Sequence, residues 1–497
     1  MKTALYNALV NNRAAHPERM NATVDRIKEV LNIVSPDKTW MVFDRYMKNA
    51  SKDTDGNGLD SLTPAGARKL VSGLLKELSQ AQVKSVVSLL NESEISTDEA
   101  IELHEKFKIP VSRLEKDLVF VRARGPWLYD TLGNKYLDMD SNYSATNLGN
   151  ENREIAIGLF NQASQLIATK EDRVHIPRTR FLNEIHQMMP KGLTQFYWQN
   201  SGGEAVDKSL KIAKAYTKQK GVIALKYGFH GRTHGAVAIT YNPSYRKPFL
   251  LDKEEWVHFI EPNDSKAVEK LFKQGKAKII IMELVQSEEA GIKPLKPEFV
   301  KKVRQLCDKY NALMISDEVQ TGFGRCAAKP GQWWASQAYG VEPDIMAIGK
   351  SFGGGYPVTA VVTKPHISAA MKPGYDGSTF GGNPMAMVAA YIATRQMREK
   401  DITSNVVARA RQFNDGLKKL RKQFPKLIGD IRGLGLMIAF DLPSKEAVYK
   451  LQELLKEYGV HSSLSTDNAV RLLPPLIISK QEVDFTLKGI KQSLAQI

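Results

Sequence analysis

Short apolar runs alternate with amphipathic helical segments from about residue 119 onward, and this alternation constrains the fold more than any other feature of the sequence. Strands that alternate with helices are typical of a parallel sheet with helices on both faces. The clearest strand-like runs are Gly221–Lys226, Lys278–Val285, Ala312–Ser316 and Asp344–Ile348. The sequence therefore predicts an α/β fold, with a smaller α+β lobe over about residues 386–497.

Residues 1–118 show helical periodicity instead, and they carry no catalytic constellation. The segments with this signal are Met20–Ile33, Ala65–Leu78, Ala81–Leu90 and a helix start at Ser96–Glu99. Asp53–Gly58 matches the opening of an EF-hand loop, but Pro64 stands where the bidentate acid belongs, so a solvated turn is favoured. The first residues carry Lys2 and Arg13 before their first acid, Glu18. Two interpretations fit this composition, an organelle transit peptide and an amphipathic surface helix. We predict a helical N-terminal extension.

The net charge of +16 belongs entirely to residues 119–497, because residues 1–118 hold 17 basic and 17 acidic side chains. The excess is scattered along helices, without the dense basic block or interleaved aromatic residues of single-strand binders. This favours attraction for anionic small molecules over nucleic acid. The only cysteines, Cys307 and Cys326, cannot build a disulfide framework or a four-cysteine zinc site, which favours a reducing, cytoplasmic compartment. No apolar run approaches the ~20 residues of a spanning helix, so no membrane segment is expected. No metal is expected either, because the sequence has neither a four-cysteine site nor a complete EF-hand loop.

Two glycine-rich turns that follow strand-like runs are suited to an anionic ligand. Ser201-Gly202-Gly203 enters a helix, where free backbone N–H groups and the helix dipole attract phosphate. Phe229-His230-Gly231-Arg232 follows the run 221–226, and Arg232 can hold a carboxylate with two hydrogen bonds. Taken singly, each turn also fits a helix cap or a surface loop.

Asp317 and Lys350 follow two further strand-like runs. In open α/β sheets ligands bind beyond the carboxyl ends of the strands, so an acid placed there is suited to meet a ligand. A lysine with a lowered pKa is the Schiff-base former of carbonyl chemistry. The 33 residues between the two suit one crossover unit, which would bring their strands close together. The ordered set of four motifs indicates an active site.

From about residue 119 to its end, the chain resembles the class III pyridoxal-phosphate-dependent aminotransferases, a group that includes the ornithine, acetylornithine and 4-aminobutyrate enzymes. The motifs that carry the resemblance are Ser201–Ala205, Phe229–Thr233, Ser316–Arg325, Gly349–Gly355 and Ser378–Pro384. The resemblance implies the type I fold of these transferases. It also implies a small domain formed by residues 119–170 and 386–497, and a large cofactor-binding domain formed by residues 171–385, with residues 1–118 as the extension.

The same resemblance implies roles for individual residues. Lys350 would form the Schiff base with pyridoxal 5'-phosphate and move the proton at the substrate Cα, and Asp317 would pair with the pyridine nitrogen. Thr379 would reach the phosphate in a neighbouring subunit, which implies a homodimer. The other implied cofactor contacts are Phe229 and Val319 on the ring faces, Gln320 at the phenolic oxygen, Ser201, Gly202 and Gly203 at the phosphate, and His230 and Glu283.

Substrate preference is implied by three charged residues. In ornithine-type relatives the acid that matches Glu288 masks the arginine that matches Arg471, and it releases this arginine to a dicarboxylate oxo acid. Arg232 matches the arginine that anchors the far carboxylate of the donor. We therefore expect transfer from an ω-amino acid (ornithine, N-acetylornithine or 4-aminobutyrate) to 2-oxoglutarate. A racemase or an aminomutase that uses the same cofactor remains the alternative reaction. Glu288 and Arg471 also fit an ion pair with only a structural role.

Overall fold

The computed structural model describes residues 76, 78–84, 96–112, 115–116, 118–462 and 468–497. The EF-hand-like motif and the helical segments predicted between residues 20 and 75 and at 85–90 lie outside these residues. Two compact units are present. The first holds the described residues up to Ala123 together with Leu128–Lys135, and the second holds Arg124–Trp127 and Tyr136–Ile497. The domain boundaries predicted from the sequence stay predictions.

The first unit contains helix α1 (Thr97–Phe107), which begins where the sequence predicts it. The Ser96 side chain caps this helix by accepting a hydrogen bond from the Glu99 backbone at 3.1 Å. Strands β1 (Phe120–Arg124) and β2 (Trp127–Asp130) follow, and their residues Arg124 and Trp127 belong to the second unit.

The second unit is built around a seven-stranded sheet with the strand order β4-β12-β11-β10-β7-β5-β6. Its strands are β4 (Gln195–Gln199), β5 (Val222–Leu225), β6 (Val257–Ile260), β7 (Ile279–Met282), β10 (Leu313–Glu318), β11 (Ile345–Ile348) and β12 (Thr359–Thr363). All neighbouring pairs are parallel except those of β12, which is antiparallel to both β4 and β11. Strands β5, β7, β10, β11 and β12 are buried along their whole length, as expected for a sheet covered on both faces. The predicted α/β class is confirmed.

Smaller sheets complete the unit. The antiparallel sheet β13-β14-β16 consists of Ile431–Leu434, Met437–Asp441 and Ala469–Leu472. Strand β3 (Lys135–Asp138) pairs in parallel with β15 (Val460–His461), and β8 (Val285–Gln286) pairs with β9 (Lys293–Pro294). The first of these sheets positions a buried arginine of the candidate site described below.

The helices of the second unit begin with α2 (Arg153–Ala163), α3 (Ile176–Ile185), α4 (Gly202–Thr217), α5 (His234–Ala238), α6 (Pro243–Arg246), α7 (Ser265–Lys273) and α8 (Pro297–Tyr310). They continue with α9 (Ala335–Tyr339), α10 (Pro365–Ser368), α11 (Pro384–Glu399), α12 (Ile402–Gln423), α13 (Lys445–Glu457) and α14 (Lys480–Leu494). Their ends follow local rules. Helix α8, for example, starts with proline at its first turn and ends at Asn311, whose φ of 49° is left-handed. Among the described residues, no helix has both the length and the apolar character needed to cross a membrane.

The register between β10 and β11 positions the predicted site. The two strands run parallel, with Asp317 opposite Ala347 and Glu318 opposite Ile348. Lys350 follows β11 by two residues, so Asp317 and Lys350 lie at the same carboxyl edge of the sheet. The expected closeness of their strands is confirmed.

Candidate active site

Lys350 lies where β11 ends, at the start of a single 3₁₀ turn (Lys350–Gly353). Its φ of 53° is left-handed, a conformation that costs a non-glycine residue about 1–2 kcal/mol and is frequent at functional sites. Burial lowers the pKa of the Lys350 ammonium to about 8, although the negative charges of Glu288, Asp317 and Glu283 oppose this shift. A lysine with such a pKa is a usable nucleophile and base near neutral pH.

Asp317 is buried at the end of β10 and is paired with a buried histidine. Its Oδ2 lies 2.8 Å from Nδ1 of His230, and its Oδ1 accepts the Val319 backbone N–H at 3.2 Å. Burial by itself would lower the pKa of His230, but the hydrogen bond and charge of Asp317 raise it above the usual value. The hydrogen bond to His230 therefore fixes the Asp317 carboxylate at the sheet edge.

Glu283 is the third ionisable group of this cluster and lies at the end of β7. Its carboxylate accepts hydrogen bonds from the Phe229 backbone at 2.8 Å and from the Ser287 hydroxyl at 2.6 Å. Burial, with a further contribution from Asp317, raises the pKa of Glu283 to about 7, while the nearby His230 opposes the shift. Through the Phe229 backbone, Glu283 fixes the loop that carries His230.

The start of α4 forms a tightly packed cradle. A Cβ atom on Gly203 would lie 2.9 Å from Oγ1 of Thr233, and one on Gly231 (φ 128°) would lie 2.7 Å from the Gly203 Cα. Gly231 therefore requires glycine, whereas a side chain at Gly203 would force Thr233 to shift. The N–H groups of Gly202 and Gly203, in the first helical turn, have no acceptor within the helix and are available to an anion.

Ser201 caps helix α4, which is the alternative that the sequence left open for this turn. Its hydroxyl accepts the Glu204 backbone N–H at 3.4 Å, and Glu204 Oε2 accepts the Ser201 backbone N–H at 2.8 Å. This reciprocal arrangement is a capping box. The following glycines, rather than the Ser201 side chain, therefore leave the freest donors for a phosphate.

Aromatic and apolar side chains lie beside these groups. The guanidinium of Arg232 stacks 3.7 Å from the ring centroid of Tyr245 and 5.2 Å from that of Phe229. Val319 contacts the start of α4, since a Cβ on Gly202 would lie 2.9 Å from its Cγ1. The neighbouring Gln320 uses its Nε2 to donate to the Tyr143 carbonyl at 3.1 Å.

Glu288 and Arg471 are brought together as predicted. Arg471 is buried in β16, and its Nη2 lies 4.0 Å from Oε1 of the half-buried Glu288. Because the contact is long and Glu288 is partly exposed, the two side chains form a loose ion pair.

A left-handed turn at Ser141–Ser144 was missed by the sequence analysis. Its four residues have φ values of 50°, 49°, 53° and 73°. The Tyr143 carbonyl accepts from Gln320, and the Ser144 carbonyl accepts from the Ser351 hydroxyl at 3.0 Å. The turn is thus fixed to the residues that follow Asp317 and Lys350. Only Asn142, a residue type that tolerates this conformation, gave a local signal.

Arg325 was also missed as a contributor to the site. Its side chain is fully buried and donates to the carbonyls of Leu436 at 2.9 Å and Pro474 at 2.7 Å, and to Oδ1 of Asn147. Asn147 in turn donates to the Ser351 hydroxyl. Burial lowers the pKa of Arg325 to about 9. One arginine therefore ties three chain segments together behind Lys350.

Thr379 is exposed, and no hydrogen bond or ion pair among the described residues joins it to the groups around Lys350. Its loop is fixed by the Ser378 backbone N–H, which donates to Glu171 at 2.8 Å. Val174, Ile176 and Phe380, which lie on the two segments so joined, are 90%, 62% and 60% exposed. No group of three or more His, Cys, Asp or Glu side chains within the described ranges is placed to hold a metal ion.

Comparison with known proteins gives concordant matches. The family model "Aminotransferase class-III" matches residues 110–494. An acetylornithine aminotransferase of Archaeoglobus fulgidus is 34% identical over 382 residues, which cover 76% of this chain and 96% of that protein. A LysW-aminoadipate semialdehyde/glutamate semialdehyde transaminase of Sulfurisphaera tokodaii is 32% identical over 384 residues, or 77% of this chain and 96% of that protein.

Two solved aminotransferase structures share the fold of this chain. An acetylornithine aminotransferase of Elizabethkingia anophelis superimposes with a TM-score of 0.69 at 29% identity, covering 81% of this chain and 99% of that one. An ornithine aminotransferase of Toxoplasma gondii gives a TM-score of 0.75 at 24% identity, covering 84% and 99%. At that identity the second likeness concerns the fold alone.

Proposed function

The chain belongs to the class III aminotransferases, and we propose that it transfers the amino group of an ω-amino acid to 2-oxoglutarate. Members of this family are pyridoxal-phosphate-dependent enzymes that act on small-molecule amino donors and oxo-acid acceptors. The observation that carries the substrate proposal is the pairing of Glu288 with the buried Arg471. The names of the two curated relatives, which use acetylornithine and semialdehyde substrates, support the same donor class.

The residues of the site fit pyridoxal phosphate. The cradle of Gly202 and Gly203 has no room for a Cβ and offers helix N–H groups for the phosphate. The buried Asp317 supplies a fixed negative charge for the pyridine nitrogen, and Nε2 of His230 is a buried atom without a hydrogen-bond partner among the described residues. Phe229, Val319 and Gln320 are assigned to the ring faces and the phenolic oxygen. When bound, this cofactor supplies an aldehyde for amines and a ring that accepts electron density.

Lys350 is proposed to hold the cofactor through its Nζ and to move the proton at the substrate Cα. Its lowered pKa supports both roles, because only the neutral amine can attack a carbonyl or accept a proton. The left-handed backbone at Lys350 directs the side chain from the strand end, and Ser351 anchors this turn to Ser144.

Asp317 is proposed to keep the pyridine nitrogen protonated. A buried carboxylate needs a cationic or hydrogen-bonding partner, and His230 supplies one at 2.8 Å. Glu283 fixes the loop of His230 from the other side. These contacts orient the Asp317 carboxylate at the sheet edge, where it is proposed to face the ring nitrogen.

Glu288 is proposed to act as the switch between donor and acceptor. While a donor without a second carboxylate occupies the pocket, Glu288 neutralises Arg471. When 2-oxoglutarate replaces the product, Glu288 turns away and Arg471 binds the carboxylate beside the reacting keto group. Arg232, stacked on Tyr245, is proposed to hold the carboxylate of the donor.

A homodimer is proposed from the loop of Thr379. The threonine is exposed in its own subunit, and the exposed Val174, Ile176 and Phe380 lie on the same joined segments. A cluster of large exposed apolar side chains is a frequent mark of an interface. We assign this face to the second subunit, where Thr379 would reach the neighbouring phosphate, and we place the enzyme in the cytoplasm on its cysteine usage.

A two-substrate assay separates the proposed transfer from the racemase or aminomutase alternative. Purified enzyme loaded with pyridoxal phosphate is incubated with ornithine, N-acetylornithine or 4-aminobutyrate, with and without 2-oxoglutarate. We expect sustained turnover of one donor only when the acceptor is present, with one glutamate formed for each donor consumed. Sustained isomerisation of an amino acid without any oxo acid would contradict the proposal.

A further inference from the structure

We propose that Asp376 is a positioning residue for the cofactor site of the neighbouring subunit: it fixes the loop that carries Thr379 to helix α4 of its own subunit. This inference rests on the proposed function, in which Thr379 reaches the phosphate in the neighbouring subunit. It adds to that function the residue that holds the loop in place. A substitution in one subunit should therefore weaken cofactor binding in the other.

Asp376 is the centre of a small cluster of charged side chains. Its Oδ1 accepts a hydrogen bond from Nζ of Lys208, and its Oδ2 lies 2.7 Å from Nζ of Lys211. The Gly377 backbone N–H donates to the same Oδ1 at 2.9 Å. The side chains of Asp376 and Lys208 are only 10% and 17% exposed, so salt screens their attraction weakly. Both lysines belong to helix α4, and the cluster therefore joins this helix to the loop.

The surroundings of Asp376 favour its charged form. Burial by itself would raise the pKa of Asp376, but Lys208, Lys211 and the Gly377 backbone N–H outweigh burial and lower it below its usual value. Asp376 is therefore ionised at neutral pH, and both ion pairs are formed there.

The loop 372–380 makes few other contacts that could fix it. All of its residues are exposed except Asp376 and Ser378. Its two large aromatic side chains, Tyr375 and Phe380, are 57% and 60% exposed. A cavity of about 220 Å³ is lined in part by Asp376, so close packing does not hold the loop on that side. Within the described part of the chain, two polar anchors therefore hold this loop, one at Asp376 and one at Ser378.

Asp376 attaches the loop to the element that forms the phosphate cradle. The cradle glycines, Gly202 and Gly203, start helix α4, and Lys208 lies less than two turns further along the same helix. Thr379 follows Asp376 by three residues, so the position of its hydroxyl depends on this anchor. In the proposed dimer, helix α4 would thus support two phosphates, its own at its N-terminus and the neighbouring one through Asp376.

A loop that is ordered in advance binds a phosphate more tightly, because it loses less conformational entropy when Thr379 makes its contact. Asp376→Asn removes the charge but keeps an oxygen that can accept the Gly377 N–H. In the dimer of this variant we expect the dissociation constant of pyridoxal phosphate to rise about tenfold, or about 1.4 kcal/mol, close to the contribution of one hydrogen bond to a charged group.

Asp308→Asn is the matched control for the loss of one negative charge. Asp308 pairs with Arg304 at 2.9 Å, and its side chain is 67% exposed and lies outside the loop. Its dissociation constant for pyridoxal phosphate should stay within about twofold of the unsubstituted value, since exposed ion pairs contribute little.

Mixed dimers show in which subunit Asp376 acts. One subunit carries Lys350→Ala, so only its partner can bind the cofactor covalently, and two affinity tags isolate the mixed species. Asp376→Asn is placed either in the Lys350→Ala subunit or in the subunit that keeps Lys350. The two dimers then contain the same substitutions and differ only in their arrangement. Borohydride reduction followed by intact mass spectrometry gives the fraction of Lys350 that carries the cofactor at each concentration of pyridoxal phosphate.

The arrangement should decide the result. We expect the dissociation constant to rise about tenfold when Asp376→Asn lies in the Lys350→Ala subunit, and to stay within about twofold when it lies in the subunit that keeps Lys350. Equal dissociation constants in the two arrangements, or a larger rise in the second, would overturn the inference, because the effect would not cross the interface. An enzyme that forms no dimer would also overturn it, and amino transfer would still stand.

Hydrogen exchange of the loaded homodimer measures the anchor itself. The backbone amides of residues 377–380 should exchange faster in Asp376→Asn than in the unsubstituted enzyme, and unchanged exchange would overturn the inference. If Asp376→Asn does not fold, Asp376→Ser removes the same charge and is used instead. Failure of the proposed function looks different, because Lys350 would then carry no cofactor in any dimer, including the unsubstituted one, and the inference would fall with it.

Discussion

Replacement of Lys350 by alanine is expected to abolish turnover, with kcat lower by about 10⁴-fold or more, since a positioned acid–base group alone contributes up to about 10⁴-fold. The variant loses both the amine that holds the cofactor and the base that moves the proton at the substrate. The measurement is the rate of amino transfer between the preferred donor and 2-oxoglutarate. Folding is checked by circular dichroism, because Lys350 is partly buried.

Two further variants make the Lys350 result specific. Lys350→Arg keeps the positive charge but cannot be deprotonated near neutral pH, so it should be as inactive as the alanine variant. Lys329→Ala removes an exposed lysine and should retain full activity. Activity of Lys350→Ala within about tenfold of the unsubstituted enzyme would contradict the assignment, because a lost nucleophile costs far more.

Replacement of Arg325 by methionine is expected to lower the free energy of unfolding by about 3–5 kcal/mol, because three buried acceptors lose their donor and each unsatisfied group costs about 1–3 kcal/mol. Methionine fills much of the space but leaves the carbonyls of Leu436 and Pro474 and the Asn147 amide without their donor. The shift in the urea midpoint measures this change. Activity should fall as well, because Asn147 loses its support beside Ser351.

Arg395→Met is the matched control for Arg325. Arg395 pairs on the surface with Glu154 at 2.8 Å, and exposed pairs of this kind contribute about 0–1 kcal/mol. Its urea midpoint should therefore move little. Equal shifts in the two variants would contradict the view that Arg325 is a buried link between segments.

Local patterns were sufficient to predict the framework. Strand β5 lies within the predicted run Gly221–Lys226, and β10 begins within the predicted run Ala312–Ser316. Strand β10 continues two residues further, through Asp317 and Glu318. Because successive side chains of a strand point to opposite faces, these two acids contact different parts of the protein. Asp317 faces His230, whereas Glu318 accepts the backbone N–H groups that start α9.

What the sequence could not predict depends on contacts between distant residues. Arg325 and Pro474 are 149 positions apart, and no periodicity or spacing connects them. The left-handed turn at Ser141–Ser144 lacks glycine, so its conformation is imposed by its partners rather than by its own residues. Contacts between residues far apart in the sequence therefore determine the parts of the site that local sequence patterns do not predict.

The absorption spectrum of the purified enzyme, taken before and after addition of a single donor, tests the central claim most directly. We predict a visible band of lysine-bound pyridoxal phosphate that is lost when ornithine, N-acetylornithine or 4-aminobutyrate is added alone, and that returns with 2-oxoglutarate. Loss and return of the band would report the two halves of an amino transfer. A chain that shows no such band even after pyridoxal phosphate is supplied would contradict the role of Lys350 and with it the proposed function.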